Sequence, residues 1–200
     1  MLLEFGIVVP QRILNLRRAL PGILEDAENG LPDGVRQLVG DHWQQRQELD
    51  DKVADITQRV ERIPVRDARA ARLMSIPGIG PMIATAMVAA VGDGTQFTQG
   101  RGLSAWLGLV PQQFTTGGKP RLLGISKRGN RYLRTLLIHG ARAVLQQAHR
   151  GDDALRRWIQ QVNGRVHRNK AAVALANKLA RVAWAVLTRG ETFRASAAAA

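Results

Sequence analysis

Cysteine is absent from the 200 residues, so neither a disulfide nor a thiolate metal site holds this fold, and thiol redox chemistry is excluded. Aromatic residues are scarce: four Phe, one Tyr and four Trp. Trp43, Trp106, Trp158 and Trp184 stand too far apart for a base-stacking platform and are expected in core or interface positions. No apolar stretch reaches the roughly 18 residues of a membrane span. The opening Met1 to Pro10 lacks a basic leader and a small-residue cleavage site, so the expectation is a cytoplasmic protein, neither secreted nor membrane-bound. An anionic membrane surface is a poor partner too, because no helix pairs a Lys/Arg face with a Trp/Phe-rich one.

Acid is missing from one half of the chain. Residues 101–200 hold three acids, Asp152, Asp153 and Glu191, against 18 Lys/Arg, a net of +15, whereas residues 1–100 hold 13 acids against 11 Lys/Arg, a net of −2. A polyanion partner follows, since each cation placed on a phosphate releases condensed counterions. DNA is the expected partner. A two-metal nuclease site cannot be assembled from so few carboxylates, and no metal ligand is assigned. Asp152 and Asp153 read instead as helix-start charges.

What is present favours helix. Ala, Leu, Arg and Gln dominate the periodic segments, and a chain 45% hydrophobic can bury one core plus a long helical extension. The expected fold is mainly α, with a helical coiled-coil linker over 1–66, a helix-hairpin-helix and basic domain over 67–194, and a frayed tail over 195–200. A first helix runs from Gln11 to about Asn29, with a break expected at Pro21-Gly22, before the Asn29 to Gly34 turn. In the next helix Leu49, Val53, Ile56, Val60 and Ile63 follow spacings of 4, 3, 4 and 3, the seam of a coiled coil or helical hairpin. Upstream the register passes Val35 and Val39, then weakens at His42 and Arg46. The seam can pair with Gln11–Glu28 or with another copy of the chain, and Pro64 is expected to end the helix. From Asp67 the pattern gives a helix to about Met74, a Pro-Gly hairpin, a helix through Val91, a glycine-punctuated loop over 92–102 and a short helix over Leu103–Leu109. Short strands at Gln112–Thr115 and Arg121–Leu123 precede helices over Arg131–Ala148, Asp152–Val162 and Lys170–Thr188.

Three segments have the composition for phosphate chemistry. In Ile76-Pro77-Gly78-Ile79-Gly80, the Gly-apolar-Gly pattern is that of a helix-hairpin-helix, in which Gly78 and Gly80 allow positive φ and let a DNA backbone approach main-chain N–H groups. The same residues also make a plain turn between packed helices. In Ser126-Lys127-Arg128-Gly129-Asn130-Arg131, Asn130 can cap the following helix while Lys127, Arg128, Arg131 and Arg134 gather at its start, as an anion clamp or as a solvated basic turn. In Phe114-Thr115-Thr116-Gly117-Gly118-Lys119-Pro120-Arg121, two hydroxyls lie beside Lys119 and Arg121, a setting for phosphoryl transfer and equally for a flexible loop. His139, on an apolar helix, is expected in the core or bridging helices. His149 and His167 are expected in exposed basic segments as phosphate contacts.

These motifs, with Phe97, Leu103-Ser104-Ala105-Trp106-Leu107-Gly108-Leu109-Val110-Pro111 and the Leu2-Leu3-Glu4-Phe5-Gly6 opening, resemble in order and spacing the carboxy-terminal part of IS110-type insertion-sequence transposases. The resemblance covers nearly the whole chain. It implies a recombinase of two halves, a RuvC-like domain holding Mg2+ on Asp/Glu ligands and a helical domain supplying a nucleophilic serine, guided by a structured RNA. The chain opens in what would be the linker, so the expectation is that the nuclease half is missing and that Mg2+ enters only with it. Thr116 stands where the family has serine, and Thr115 is its substitute. The implied reaction is attack of the Thr116 hydroxyl on a DNA phosphodiester, with Arg121, Lys127 and Arg128 stabilising charge. The chain alone is expected to bind backbone with weak or no strand transfer. A non-catalytic nucleic-acid-binding protein, or an oligomerising module that inhibits intact transposase through the Leu49–Ile63 seam, is the competing expectation.

Overall fold

Strong helix formers in amphipathic spacing give a mainly helical chain, with one β-hairpin set between the fifth and sixth helices. The computed structural model describes residues 2–117, 119–151 and 153–194, so the expected frayed tail and Asp152 lie outside the described residues. Contacts divide the chain into two compact units, Met1–Thr57 and Gln58–Ala200, and the division falls within a helix.

In the first unit, α1 (Ile13–Glu25) faces the first half of α2 (Asp33–Arg66). The expected break at Pro21-Gly22 does not occur: α1 runs through both residues. Pro21 and Arg17 are exposed, so the carbonyl that proline leaves without a donor lies on the hydrated side, while Leu20 anchors the buried one. The end of α1 is fixed from α2, where the Arg36 guanidinium donates to the carbonyls of Ile23 at 2.9 Å and Leu24 at 2.8 Å and to Asn29 Oδ1 at 2.8 Å. Those are orphan helix-end carbonyls, and a cation on them also suits the negative end of the helix dipole.

The long helix α2 likewise passes Pro64, where the sequence predicts its end. Pro64 is buried, and the Asp67 N–H donates to the Ile63 carbonyl at 3.0 Å, which carries the last turn to Arg66. Along the seam Leu49, Val53, Ile56 and Ile63 are exposed and Val60 is half-buried, whereas Val39 and Pro64 are the buried positions of α2.

The second unit contains α3 (Ala68–Leu73), α4 (Pro81–Val91), α5 (Gly100–Trp106), strands β1 (Pro111–Thr116) and β2 (Lys119–Ile125), then α6 (Arg131–Gln146), α7 (Ala154–Arg165) and α8 (Arg168–Arg189). Its core is built on α8. The small residues Ala172, Ala176, Ala180 and Ala183 are buried along that helix, which lets α5 and α6 pack closely on it. By length and composition alone α8 could cross a membrane, yet it carries much of this core. Side-chain caps set four helix starts: Asp67 accepts from Arg69, Asn130 from Leu133, Asp153 from Arg156 and His167 from Asn169. The short helix α5 begins at Gly100, three residues before the expected Leu103, and so shortens the glycine-punctuated loop.

Candidate nucleic-acid interface

The turn of the β-hairpin opens on Gly117. Gly117 sits at φ +56°, the left-handed region that a two-residue hairpin turn demands and that glycine occupies without strain. The strands pair antiparallel with Thr116 opposite Lys119, Thr115 opposite Pro120, Phe114 opposite Arg121 and Gln113 opposite Leu122. Paired residues share a face and neighbours along a strand alternate. Thr116, Lys119, Phe114 and Arg121 therefore occupy one face, and Thr115, Pro120, Gln113 and Leu122 the other. The register separates the two threonines that composition leaves equivalent. An irregularity between Pro111 and Gln113 adds a residue to β2 and twists the base of the hairpin. All of β1 and all of β2 but Ile125 are exposed, with Phe114 at 59% and Leu122 at 72%, so the ribbon stands in solvent on both faces.

The basic loop that follows is held firmly. Ser126 N–H donates to the Val110 carbonyl at 2.8 Å, Lys127 N–H to Gly108 at 3.1 Å and Asn130 N–H to Trp106 at 3.4 Å, so the loop caps the end of α5. Lys127 has φ +55° and Gly129 φ +100°. A Cβ at Gly129 would run into the Trp106 carbonyl, and one at Gly108 into the Arg128 carbonyl, so two main-chain segments some twenty residues apart are in direct contact. Lys127, Arg128 and Arg131 are exposed on this scaffold. Arg134 is set apart from them: only 8% exposed, it turns inward and donates to the Leu107 carbonyl at 2.9 Å, which makes it a bracket between α6 and the end of α5.

The two glycines of the Pro-Gly hairpin differ. Gly78 has φ +83° and faces α6, where a Cβ would lie 2.6 Å from Val144 Cγ2 and 2.7 Å from the Gly140 carbonyl oxygen. Its role is close packing. Gly80 does not take the positive φ expected of it; at φ −90° and ψ −177° it is extended, exposed and open to solvent at the start of α4. Only Gly80 leaves room for a backbone to approach.

The histidines also part from expectation in one case. His139 is exposed, because Leu133, Leu137, Gly140 and Ala141 take the buried side of α6 and position 139 falls opposite. His149 and His167 are exposed as expected, and His167 Nδ1 accepts from Asn169 N–H at 3.2 Å. Trp158 lies under Lys178 Nζ at 4.7 Å from the ring centroid, and burial lowers that lysine's pKa, aided by nearby Arg181. The bracketing role of Arg134 and the Gly78–Gly140 contact have no sequence signal, since both depend on segments brought together only by folding.

Residues 70–157, which include the Pro-Gly hairpin, the β-hairpin and the basic loop, match the profile of the Transposase IS116/IS110/IS902 family. The chain belongs to this family. It is 43% identical over 192 residues to a probable family 20 transposase of Pseudomonas aeruginosa, covering 96% of this chain and 57% of the relative. It is 39% identical over 197 residues to the transposase for insertion sequence element IS1111A of Coxiella burnetii, covering 98% of this chain and 54% of the relative. A more distant likeness, 27% over 142 residues, links 69% of the chain to 42% of a pilin gene-inverting protein of Moraxella bovis. The chain thus spans little more than half the length of these two transposases. The magnesium implied for transposases of the IS110 type finds no fitting donor set around the hairpin. No Asp or Glu occurs from Gly94 to Gly151, and among the described residues no three His, Asp or Glu side chains cluster.

Proposed function

We propose that this chain is a DNA-binding part of an insertion-sequence transposase, gripping phosphates with the hairpin face and the basic loop and presenting Thr116 to a phosphodiester. The observation that carries this reading is the strand register, which puts the Thr116 hydroxyl on the same face as Lys119 and Arg121. A phosphate held by those cations lies beside the hydroxyl, and their charge stabilises the extra negative charge of a pentavalent phosphorus. In the transfer step Thr116 Oγ1 forms a bond to phosphorus and loses its proton to water. The P–O bond to one neighbouring nucleotide breaks, and the departing oxygen takes up a proton. The covalent link conserves the phosphodiester, so a second DNA hydroxyl can reverse the step and join a new strand. Lys127, Arg128 and Arg131, fixed by the loop's hydrogen bonds to α5, hold the flanking backbone, and the open main chain at Gly80 adds a further approach. A structured guide RNA would meet the same cations through its own phosphates and compete with DNA for them.

The exposed seam of α2 supports self-association in the same assembly: four large apolar side chains at coiled-coil spacing lie in water within a single chain.

A DNA duplex with a bridging phosphorothiolate, whose sulfur departs without needing an acid, tests the chemistry on the chain itself. The expected product is a denaturant-resistant adduct mapped to the Thr116 peptide, kept in Thr116→Ser and in Thr115→Ala and lost in Thr116→Ala. An adduct that survives Thr116→Ala, or none with this activated substrate, contradicts the nucleophile assignment and leaves a binding role alone.

A further inference from the structure

The outer face of α6 carries a run of polar residues that continues from the basic loop. Arg131, Thr135, His139, Arg142 and Gln146 follow spacings of 4, 4, 3 and 4 and are all exposed. At 3.6 residues per turn they fall within an arc of about 80°, opposite the buried Leu133, Leu137 and Ala141. The stripe has no acid and no aliphatic side chain. An ordinary hydrated helix face in this same chain looks different: on α2 the exposed Glu48, Asp51 and Asp55 are interspersed with Lys52 and Arg59. Mixed charges neutralise such a surface, whereas the α6 stripe leaves its positive potential uncompensated. Among the described residues no carboxylate pairs with Arg131 or Arg142.

We propose that the outer face of α6 is a second length of phosphate track, on which a DNA duplex engaged at the basic loop continues along the helix from Arg131 to Arg142. This rests on the DNA-binding reading given above and extends it. Continuity argues for it: Arg131 is the last cation of the loop cluster and the first residue of the stripe. Length does as well, since the eleven steps from Arg131 to Arg142 rise about 16 Å, roughly five base-pair steps along one strand. Arg142 supplies the charged contact at the far end, while Thr135, His139 and Gln146 have side chains that donate hydrogen bonds to phosphate oxygens.

The test is the salt dependence of binding to a random-sequence DNA duplex for the whole chain, comparing wild type, Arg142→Ala and Arg165→Ala. Arg165 is an exposed cation at the end of α7, off the stripe, and controls for the loss of net charge. Arg142 is exposed, so its removal is expected to leave the melting temperature unchanged. The expected result is a log–log salt slope shallower by about 0.9 for Arg142→Ala and unchanged for Arg165→Ala. A wild-type slope in Arg142→Ala, an equal loss in Arg165→Ala, or a loss seen only with an RNA duplex overturns the track while leaving DNA binding standing. If the wild-type chain itself shows no salt-dependent binding to DNA, the DNA-binding reading fails first and the track fails with it.

Discussion

Gly129 lies with its Cα against the carbonyl of Trp106, in a position where a side chain of any size would collide with that oxygen. The contact ties the basic loop to the end of α5, together with the Asn130 N–H bond to the same carbonyl. Gly129→Ala is therefore expected to lose stability on two counts, strain at φ +100° and displacement of Trp106. Strain of this kind alone costs about 1–3 kcal/mol. Urea denaturation should show an unfolding free energy lower by at least that amount, with DNA affinity falling as the loop leaves its place. Gly80→Ala is the contrast: its φ is ordinary for any residue and nothing crowds its Cβ, so stability should change little.

Asp67 gives the second unit a pH dependence at its first helix. The Arg69 guanidinium, hydrogen-bonded to the carboxylate at 2.8 Å, and the backbone N–H groups of Arg69 and Ala70 hold the pKa at about 2, below the model-compound value of 3.8. A carboxyl depressed on folding stabilises the fold above its unfolded pKa and loses that contribution as pH falls through the folded one. Asp67→Asn should therefore melt below wild type near neutral pH, and the gap should close between about pH 4 and pH 2. A gap that stays constant across that range contradicts the assignment.

The α2 seam makes a separate claim about assembly. Val53 and Ile56 are 63% and 54% exposed, an arrangement that a partner helix would relieve. Val53→Lys with Ile56→Lys should convert an oligomer to a monomer in sedimentation equilibrium, with far-ultraviolet helicity of the remaining fold kept. A wild-type chain that sediments as a monomer contradicts self-association through this face.

Much of the helical order was legible because periodicity and caps act locally: Asp67, Asn130 and Asp153 cap the helices they precede. The two strands were legible as short β-capable runs, although the segment joining them read equally as a flexible loop. Pro21 and Pro64 misled because proline removes one donor, and hydration at an exposed turn or burial of the ring offsets that loss. Arg134 misled for another reason. Charge at a helix start suggests a phosphate contact, but position 134 faces α5 and its guanidinium satisfies a main-chain carbonyl there. His139 shows the opposite: an apolar neighbourhood in sequence, and an exposed position once the 3.6-residue turn is followed around the helix.

In the proposed function the cations of the hairpin face meet DNA phosphates beside Thr116. The salt dependence of duplex DNA binding by Lys119→Ala with Arg121→Ala measures it most directly, because neither exposed side chain supports the core. Loss of two phosphate contacts should make the log–log slope shallower by about 1.8 at unchanged thermal stability. A slope equal to that of the wild-type chain would mean that DNA does not rest on this face.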